Sequence, residues 1–355
     1  MELLHRRRSI HRFGLRQDVR GVWSNGYATL LCMGHEPLIH RREALALGYT
    51  PGEIRGFVST GRWVRLAAGI FLPRHTYDTV DDYGRHLFHS LAVVQVASSD
   101  TALSHVSAAV LHGLRPWRIS LDDVHLTRNR PSGSKRSRGR VMHAARVDEC
   151  DLREKYGARV LGVARTVIDL AASEPLEQAV VLGDQSLRQG LVDIGELEHA
   201  VERMGSRPGR PRVLRAVRCM SDRSDSVGES RSRVLMSREQ LPTPLTQVDV
   251  LDSAGRWLAR VDFLLPQHGV IGEFDGRIKY RRDGVATTDA EDVVYREKLR
   301  EDQLRHAGWV VVRWTWADVE TPGAVAAKIR GAIALAQRGS GPTGTFKVRR
   351  LATQK

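Results

Sequence analysis

Hydrophobic and polar positions from residue 37 to 75 alternate in short blocks that are separated by turn residues. The block "RREALALG" predicts a helix that ends at Gly48, and "TPGEIRGFVSTG" predicts a second helix that begins at Pro51 and is capped by Thr50. The block "RWVRLAAGIFLP" alternates and turns at Gly69, which predicts a β-hairpin. Helix, tight turn, helix and hairpin is the element order of a winged helix-turn-helix, in which the second helix enters the major groove of DNA.

The second helix and the start of the hairpin carry the side chains that such a domain would present to DNA. The candidates for nucleic-acid binding in this region are Arg55, Ser59, Thr60, Arg62 and Arg65. A helix pair that serves only packing or protein contacts is the alternative, because the same pattern fits both.

A second patterned region runs from residue 225 to 337. The segment "VGESRSRVLMSREQL" predicts a helix that ends before Pro242, and "LTQVDVLDSAGRWLARVDFLLP" predicts a hairpin that turns near Gly255. A third strand is predicted in "GVIGEFDG". The charged segment "EDVVYREKLREDQLRHAG" predicts a long helix that ends at Gly308, before a strand in "WVVVRWTW" and a last helix in "PGAVAAKIRGAIALAQ". The predicted order is therefore α-β-β-β-α-β-α.

Taken along its whole length, the pattern predicts an α/β (α+β) multidomain chain. Residues 1–36 are rich in arginine without a period, which predicts a disordered basic arm, and Met33 is an alternative start of the folded protein. The remaining predicted regions are a winged helix-turn-helix at 37–75, a mixed α/β domain at 76–202, a linker region at 203–224, an αβββαβα domain at 225–337 and a flexible basic tail at 338–355.

The charge balance narrows the choice of partners. Lys and Arg number 55 against 41 Asp and Glu, a formal net charge of +14. Such a surplus favours a polyanionic partner, most simply DNA, although a GC-rich genome is an alternative source of the arginines. The cysteines Cys32, Cys150 and Cys219 form no paired motif, which fits a reducing cytoplasm. No apolar run approaches the ~20 residues that span a bilayer, so no membrane partner is expected.

A basic loop, "TRNRPSGSKRSRGR" (127–140), lies between the strand-like runs "DDVHLT" and "RVMHAARV". The sequence predicts an extended β-hairpin loop whose side chains Arg136, Arg138 and Arg140 are candidates for contacts with a phosphate backbone. A solvated loop without a ligand is the alternative.

Two groups of polar side chains suggest catalysis or metal binding at first inspection. Ser104 and His105 begin a predicted helix, where we expect Ser104 to cap the first turn and the two adjacent side chains not to face each other. His86 and His89 have helical i, i+3 spacing but no third ligand nearby. The sequence therefore predicts structural roles for both groups.

The segments "GRWVRLAAGIFLP" and "ALSHVSAAVLHGL" (102–114), followed by "ARTVIDLAAS" (164–173), resemble proteins with an AbiEi-type antitoxin N-terminal region. The resemblance covers about residues 37–200. It implies a winged helix followed by a mixed α/β domain, with the winged helix binding DNA as an autoregulator. A cognate toxin or a second copy of the chain are the protein partners that it implies.

Three motifs in order, "RVDFLLP", "GEFDG" and "GWVVVRW", resemble the Vsr-like branch of the PD-(D/E)XK nuclease superfamily, a restriction-endonuclease-like fold. The resemblance implies that Asp262 is the central metal-binding aspartate, Glu273 the third-strand acid and Glu229 the acid of the opening helix. These three are the implied ligands of Mg²⁺ or Mn²⁺, which would activate water and neutralise charge on the phosphate. Glu273 and Asp275 have the same strand parity, so we expect both to point to one face beside Asp262.

The chain departs from the superfamily pattern at Asp275, where a lysine is usual. Lys279 and Lys298 are the candidates to supply the missing positive charge, and Arg300 and Arg313 are candidates for contacts with nucleic acid. The candidate catalytic residues are therefore Asp262, Glu273, Asp275 and Lys279.

Two hypotheses of function follow. The leading one is a cytoplasmic DNA-binding protein whose C-terminal domain is a Mg²⁺-dependent deoxyribonuclease. The alternative is a non-enzymatic, antitoxin-like transcriptional autoregulator whose nuclease-like domain is inert. Convergence of the predicted acidic side chains favours the first, and scattered carboxylates favour the second.

Overall fold

A computed structural model describes residues 38–276 and 289–348 of the chain, with the backbone alone for 289–296. The chain divides into two compact units, of which the first ends at Asp169 and the second begins at Leu170. Both contain helices and a β-sheet, so the expectation of an α/β multidomain chain is confirmed. The basic arm predicted at 1–36 lies outside the described residues.

The first unit opens with a small antiparallel sheet and two short helices. In chain order these elements are β1 (Ile39–His40), α1 (Arg41–Ala46), α2 (Pro51–Ser59), β2 (Trp63–Ala67) and β3 (Ile70–Pro73). The strands lie in the order β1-β3-β2. A capping box between Thr50 and Glu53 begins α2, with Pro51 in its first turn, because the hydroxyl and carboxylate satisfy amide groups that the helix leaves unpaired. The predicted helices and hairpin are thus confirmed.

A six-stranded sheet forms the larger part of the first unit. The elements of this part are α3 (Arg74–Thr79), α4 (Asp82–Gln95), β4 (Thr101–Leu103), α5 (His105–Leu111), β5 (Val124–Asn129), β6 (Lys135–Ser137), β7 (Arg140–Ala145), β8 (Leu152–Lys155), β9 (Ala158–Leu161) and α6 (Val163–Ser173), whose last four residues belong to the second unit. The strand order is β6-β7-β5-β4-β9-β8. Phe88 and Leu91 of α4 pack in one buried cluster with the strand residues Leu103, Leu126 and Val160, so the helix covers the middle of the sheet.

The basic loop differs from its prediction. The strands on either side of it, β5 and β7, pair in parallel rather than as the two arms of a hairpin. Lys135–Ser137 of the loop form β6, which pairs antiparallel with β7 through a turn at Gly139. The prediction was wrong because the alternation of "DDVHLT" and "RVMHAARV" specifies strands and not their relative direction.

Four helices open the second unit: α7 (Leu176–Arg188), α8 (Ile194–Met204), α9 (Arg210–Cys219) and α10 (Val227–Arg238). The segment 203–224, which the sequence predicted as a linker, contains α9 as its basic helix. Val213, Ala216 and Val217 of α9 are buried, so this part of the segment belongs to the packed core.

A five-stranded sheet completes the second unit. Its elements are β10 (Leu245–Leu251), β11 (Trp257–Leu265), β12 (Val270–Asp275), α11 (Asp289–His306), β13 (Val310–Thr315), α12 (Trp316–Glu320), α13 (Ala324–Ala336) and β14 (Thr345–Val348). The strand order is β13-β12-β11-β10-β14, and β12 pairs with β13 in parallel while the other neighbours are antiparallel. Phe263, Trp314 and Ile329 belong to one buried cluster, and Ile271 and Leu304 to another. The predicted order of elements from 225 to 337 is confirmed except for α12, an additional short helix that follows β13 directly.

The last described residues correct the prediction of a flexible tail at 338–355. Residues 345–348 form β14, which pairs with β10 in the register Val248 with Val348. The approach is close at Gly344, where a Cβ atom would collide with the carbonyl oxygen of Leu251. The prediction followed the charge and glycine content of this segment and overlooked the alternation of "TFKV". A short alternating segment can pair with an unpaired strand edge.

No helix within the described ranges is both long and apolar enough to cross a bilayer. Cys150 is exposed and Cys219 half-buried, and both are free thiols.

Candidate functional site

The second unit brings two of the predicted acidic residues together around one amide. Glu229 lies in the first turn of α10, and Asp262 lies in β11. The Nε2 atom of Gln247 in β10 donates to Glu229 Oε2 at 2.7 Å and to Asp262 Oδ1 at 3.2 Å. We call Glu229 and Asp262 the acidic pair.

Local geometry fixes each member of the acidic pair. Glu229 accepts hydrogen bonds from the backbone N–H of Asp225 at 3.0 Å and from the Ser226 hydroxyl at 2.8 Å, so the N-terminal cap of α10 also orients the carboxylate. The second oxygen of Asp262 accepts from the backbone N–H of Phe274 at 3.0 Å. Gly228 lets the helix approach β12, because a Cβ atom there would collide with the Phe274 ring.

Gln247 reaches the acidic pair through an unusual backbone conformation. Its φ angle is 52°, in the left-handed region that side chains other than glycine rarely adopt. Thr246 and Val248 pair with residues of β11 on either side, and Gln247 is 7% exposed. Such irregularities within strands redirect a side chain, and they concentrate at functional sites. Sequence reasoning missed Gln247, since an amide within a strand carries no distinctive pattern.

Burial and neighbouring acids favour the neutral form of Asp262 in the acidic pair. Burial, followed by the nearby charges of Glu229 and Glu273, raises the pKa of the Asp262 carboxyl, and hydrogen bonds from the Phe274 N–H and Gln247 oppose the shift; the net pKa is about 7. Two carboxylates that share a buried site cannot both ionise cheaply without a cation. Asp262 therefore takes up a proton near neutral pH unless positive charge is supplied.

Glu273 has a different environment, although it lies in the neighbouring strand β12. Its two oxygens form ion pairs with Arg300 Nη2 at 2.6 Å and Arg313 Nη2 at 2.9 Å. Both guanidinium groups also contact Glu297 Oε1, at 2.9 Å and 2.6 Å. Burial raises the pKa of Glu273, and the two arginines oppose that shift. Arg300 and Arg313, which were predicted to contact nucleic acid, are thus engaged with acidic side chains.

The predicted acidic residues lie in adjoining elements but do not all converge. Glu229, Asp262 and Glu273 do not form a group that could together hold a metal ion within the described residues. Asp275 is half-buried at the end of β12, opposite Thr315 of β13. Lys279 lies outside the described residues, and Lys298 is exposed on α11.

In the described part of the chain, the side chains that could together hold a metal ion form a histidine cluster in the first unit: His105, His125 and His143, whose ligand atoms all lie within 4.8 Å of one another. The nitrogen atoms His143 Nε2 and His125 Nδ1 are 3.1 Å apart. The rings of His105 and His143 stack with centroids 3.7 Å apart and planes 15° apart. His105 is buried, while the other two are half-buried and leave the cluster partly open to solvent.

Three neighbouring chain segments supply the histidine cluster. His125 lies in β5 and His143 in the parallel neighbour β7, two positions apart in the register, so both side chains project from the same face of the sheet. The backbone N–H of Ser104 donates to the carbonyl of His125 at 3.0 Å, which extends the β4–β5 pairing to the residue before His105. His105 itself has a φ angle of 47°, another left-handed conformation at a side chain that rarely adopts it.

Sequence reasoning missed this cluster and misassigned Ser104. The Ser104 side chain makes no capping hydrogen bond to α5; instead its Oγ atom lies 3.1 Å from His105 Nδ1. The two side chains do meet because His105 has left-handed and not helical backbone angles. The usable signal was a histidine in the middle of each of the strand-like runs "DDVHLT" and "RVMHAARV".

His86 has the structural role that the sequence predicted. Its Nδ1 atom lies 2.8 Å from the carbonyl oxygen of Leu121, and its Nε2 atom lies 2.9 Å from Ser107 Oγ. The Ser107 oxygen also accepts from the backbone N–H of His125 at 2.8 Å. Ser107 therefore donates to His86 and fixes the strand that carries His125.

Burial controls the protonation of the histidine cluster. It lowers the pKa of His125 to about 4, with the neighbouring His143 as the next cause, and it holds the pKa of His105 well below its usual value. The pKa of His143 is lowered by the same desolvation. All three imidazoles are therefore neutral at pH 7, the form in which histidine binds metals.

The other predicted nucleic-acid ligands lie on exposed surfaces of the first unit. Arg55, Ser59 and Thr60 are exposed on and just after α2, where both hydroxyls donate back to the carbonyl oxygen of Gly56. Arg62 and Arg65 are exposed at the start of the β2–β3 hairpin. The basic segment that contains Arg136, Arg138 and Arg140 is exposed throughout residues 131–140, although Arg136 forms an ion pair with Asp123 at 2.6 Å.

Comparison with known proteins gives distant relatives. No protein-family model matches the chain. The chain is 26% identical over 185 residues to the uncharacterized protein MT2308 of Mycobacterium tuberculosis strain CDC 1551 / Oshkosh, and equally to the uncharacterized protein Rv2248 of strain ATCC 25618 / H37Rv. Each alignment covers 50% of this chain and 65% of the relative, so the chain spans just under two thirds of the relatives' length.

Among solved structures, a crystal structure of the RV2827C protein from Mycobacterium tuberculosis is similar at a TM-score of 0.36 and 16% identity. The similarity covers 66% of this chain and 87% of that one. A TM-score this low does not show a shared fold.

Proposed function

We propose that the chain is a DNA-binding protein whose second unit is a Mg²⁺- or Mn²⁺-dependent deoxyribonuclease of the PD-(D/E)XK type, acting in the cytoplasm. The observation that carries this proposal is the acidic pair, in which Glu229 and Asp262 share one amide and the pKa of Asp262 is raised to about 7. Perturbed carboxyls of this kind cluster at functional sites. The order of elements from α10 to α13 supports the same proposal.

The donors of the acidic pair fit a hard divalent cation, which prefers carboxylate oxygens. Glu229 and Asp262 would hold the ion, which when bound supplies an activated water and neutralises charge on the phosphate. The chain's own residues orient the two carboxylates through Gln247, and the partial burial of Asp262 raises its pKa. Arg300 and Arg313 carry positive charge beside Glu273, and we propose that they take the place of the lysine that Asp275 replaces.

Binding to DNA is proposed for the first unit. The elements α1, α2, β2 and β3 follow one another as in a winged helix-turn-helix, with α2 as the helix that enters the major groove. The exposed arginines of α2, of the β2–β3 hairpin and of the β6–β7 hairpin would contact phosphates. Each phosphate that is neutralised steepens the salt dependence of the binding constant by about 0.9 in log–log slope.

A cleavage assay tests the nuclease. The purified protein is incubated with plasmid and with single-stranded DNA in Mg²⁺, in Mn²⁺ and in EDTA, beside the variants Asp262→Asn and Glu229→Gln. We expect cleavage that requires the metal, and Asp262→Asn should slow it by about 1000-fold, since loss of a metal ligand removes several kcal/mol of transition-state stabilisation.

The matched control is Asp222→Asn, which makes the same change at an exposed aspartate of the second unit and should cleave like the wild type. Far-UV circular dichroism checks that each variant is folded. Absence of metal-dependent cleavage in the wild type, or full activity of Asp262→Asn, would contradict the nuclease.

A second function is favoured by the environment of Glu273. Both of its oxygens are held by arginines, and Asp275 stands in the position of the usual lysine. These features also fit a nuclease-like unit that has lost activity in an antitoxin-like autoregulator, with a cognate toxin or a second copy of the chain as partner. In that case the first unit would carry the function.

A gel-shift assay distinguishes the regulator. The full-length chain should shift the DNA upstream of its own gene. Combining Arg55→Ala with Arg62→Ala and Arg65→Ala should weaken that shift and lower the salt slope by about 1 for each phosphate that the variant no longer neutralises. Replacing the exposed arginine Arg203 of α8 by alanine is the control. An unchanged shift in the triple variant would exclude the proposed winged-helix contact.

A further inference from the structure

We infer that His105, His125 and His143 bind one divalent transition-metal ion of the zinc class. The site is independent of the proposed nuclease, because it lies wholly within the first unit and uses nitrogen and not oxygen donors. Imidazole suits Zn²⁺, Co²⁺, Ni²⁺ and Cu²⁺, whereas Mg²⁺ prefers oxygen ligands.

The nitrogen atoms of the three rings have the spacing of metal ligands. Ligand atoms of the three rings all lie within 4.8 Å of one another, and His125 Nδ1 and His143 Nε2 are 3.1 Å apart. Two nitrogens bound to one tetrahedral Zn²⁺ at 2.0–2.1 Å are separated by about 3.3 Å, so this pair already has the spacing of a metal site. The remaining ring, His105, would adjust its stacking on His143 to direct its nitrogen at the ion.

Few hydrogen bonds hold the ring nitrogens of the histidine cluster. Within the described residues, three of the six ring nitrogens form hydrogen bonds, namely His105 Nδ1, His125 Nδ1 and His143 Nε2. Two of these three bond only to each other. A metal ion bound by both of these nitrogens would therefore break a single hydrogen bond, with the proton between them moving to the other nitrogen of its own ring, and would gain coordination from atoms that have no other partner in the described chain.

The three imidazoles are also neutral and held in place by neighbouring groups. Because burial keeps all three imidazoles neutral at pH 7, a metal ion would not have to compete with protons there. The Ser104 hydroxyl orients the His105 ring, and Ser107 fixes the backbone of His125. Metal-binding histidines characteristically have such partners behind them, which orient the ring.

The surroundings are compatible with a cation. Arg165 is the nearby positive charge that acts on His105, and it is paired with Asp151 at 3.0 Å and Asp169 at 2.9 Å. This triad of charges is negative by one. Three protein ligands leave one tetrahedral position to water or a small ligand, and the half-buried rings of His125 and His143 provide the access.

Metal titration of the untagged, chelator-treated protein tests the site. We expect one equivalent of Zn²⁺ by elemental analysis after gel filtration, and one equivalent of Co²⁺ with the visible absorption of a low-symmetry four-coordinate ion. Zn²⁺ should raise the Tm by about 5 °C or more when it is well above Kd, because it binds the folded state alone. Excess Mg²⁺ should not compete.

Variants locate the ion. Ser104→Ala removes a supporting partner and should weaken Zn²⁺ binding by about 10–100-fold. His143→Ala and His125→Ala remove a ligand and should weaken it by more than that. His199→Ala and His75→Ala remove exposed histidines of α8 and α3 and should bind as the wild type does. His143→Gln keeps a polar side chain of similar size and serves if the alanine variant fails to fold.

Two results would overturn the site. One is a wild-type protein that takes up less than one equivalent of Zn²⁺ and Co²⁺. The other is stoichiometric binding that survives in folded His143→Gln and His125→Ala but is lost in His199→Ala or His75→Ala, which would place the metal on the surface.

Discussion

The histidine cluster of the first unit and the acidic pair of the second both contain ionisable groups that are buried wholly or in part, yet burial shifts their pKa values in opposite directions. It lowers the pKa of His125 to about 4 and raises that of Asp262 to about 7. Between these values both groups are uncharged, because desolvation disfavours the charged form whatever its sign. Burial therefore keeps the histidines in the neutral form that binds metal, but it keeps Asp262 in the protonated form that does not.

The difference concerns the proton that a metal must displace. Neutral imidazoles present lone pairs at once, so the histidine cluster is ready for a cation at neutral pH. Asp262 has to lose a proton before it can bind one, and Glu229 and Glu273 make that loss harder. A cation at the acidic pair should therefore bind increasingly well as the pH rises through about 7.

The largest expected effect separates the two sites by substitution. Asp262→Asn should reduce Mg²⁺-dependent cleavage by about 1000-fold and leave Zn²⁺ affinity unchanged, while His143→Ala should do the reverse. Cleavage kinetics and a chromophoric zinc chelator measure the two properties on the same preparations. If either variant changed both properties, the sites would not be independent.

The pH dependence of stability should have opposite signs in the two sites. The pKa of His125 in the folded state is below its unfolded value of about 6.5. Its contribution to the free energy of unfolding is therefore fully present above pH 6.5, and about 3 kcal/mol of it is lost as the pH falls towards 4. The pKa of Asp262 in the folded state is above its unfolded value of 3.8. Its contribution to the free energy of unfolding is therefore present below pH 3.8, and about 4 kcal/mol of it is lost as the pH rises to about 7.

Urea unfolding in EDTA between pH 4.5 and 7.5 measures this contrast. Relative to the wild type, His125→Gln should gain stability as the pH falls, and Asp262→Asn should gain stability as the pH rises. Parallel curves for the wild type and both variants would show that neither group has the shifted pKa.

A smaller effect is expected at Gln247. Its amide lowers the pKa of Asp262 by donating a hydrogen bond, so Gln247→Ala should move the acidic limb of the pH–rate profile to higher pH. We expect cleavage at pH 7 to fall by about tenfold, which corresponds to the removal of one hydrogen bond to a charged group. Gln240→Ala is the matched control, because Gln240 shares the left-handed backbone but lies outside the strands. If the pH–rate profile of Gln247→Ala were the same as that of the wild type, Gln247 would have no role at the site.

The smallest effect concerns the sheets and not the side chains. Deleting residues 345–355 removes β14 and exposes the edge of β10, which should cost about 1–2 kcal/mol in hydrogen bonds and packing. Hydrogen exchange should accelerate at 245–251 and remain unchanged in β5 of the first unit. Deleting only 349–355 is the control and should leave both regions as they are.

The local elements were predictable because their signals lie within a few residues. Thr50 and Glu53 form the predicted start of α2, and Gly255 has the left-handed φ angle of the predicted turn between β10 and β11. Pairings that join distant segments were not predictable. The alternation of a strand does not specify a parallel neighbour, as in β5 and β7, nor a partner late in the chain, as in β14.

The candidate sites show the same limit. Motif spacing led to Glu229 and Asp262, which the structure brings together around Gln247. It could not reveal that Glu273 is held by Arg300 and Arg313, because ion pairs between α11, β12 and β13 depend on packing. The histidine cluster was missed for a related reason: the parallel pairing of β5 and β7 brings His125 and His143 together, and strand alternation does not specify that pairing.

The pairing of β10 with β14 has a consequence for biosynthesis. The outer edge of β10 is covered only after β14 has been synthesised, because Val248 pairs with Val348, about a hundred positions later in the chain. A nascent chain leaves the ribosome from its N-terminus, so the four other strands of this sheet are made while that edge is bare. Slow or interrupted translation in this interval would leave a β-strand edge open to neighbouring chains, and we expect recovery of the protein from heterologous hosts to depend on chaperone capacity there.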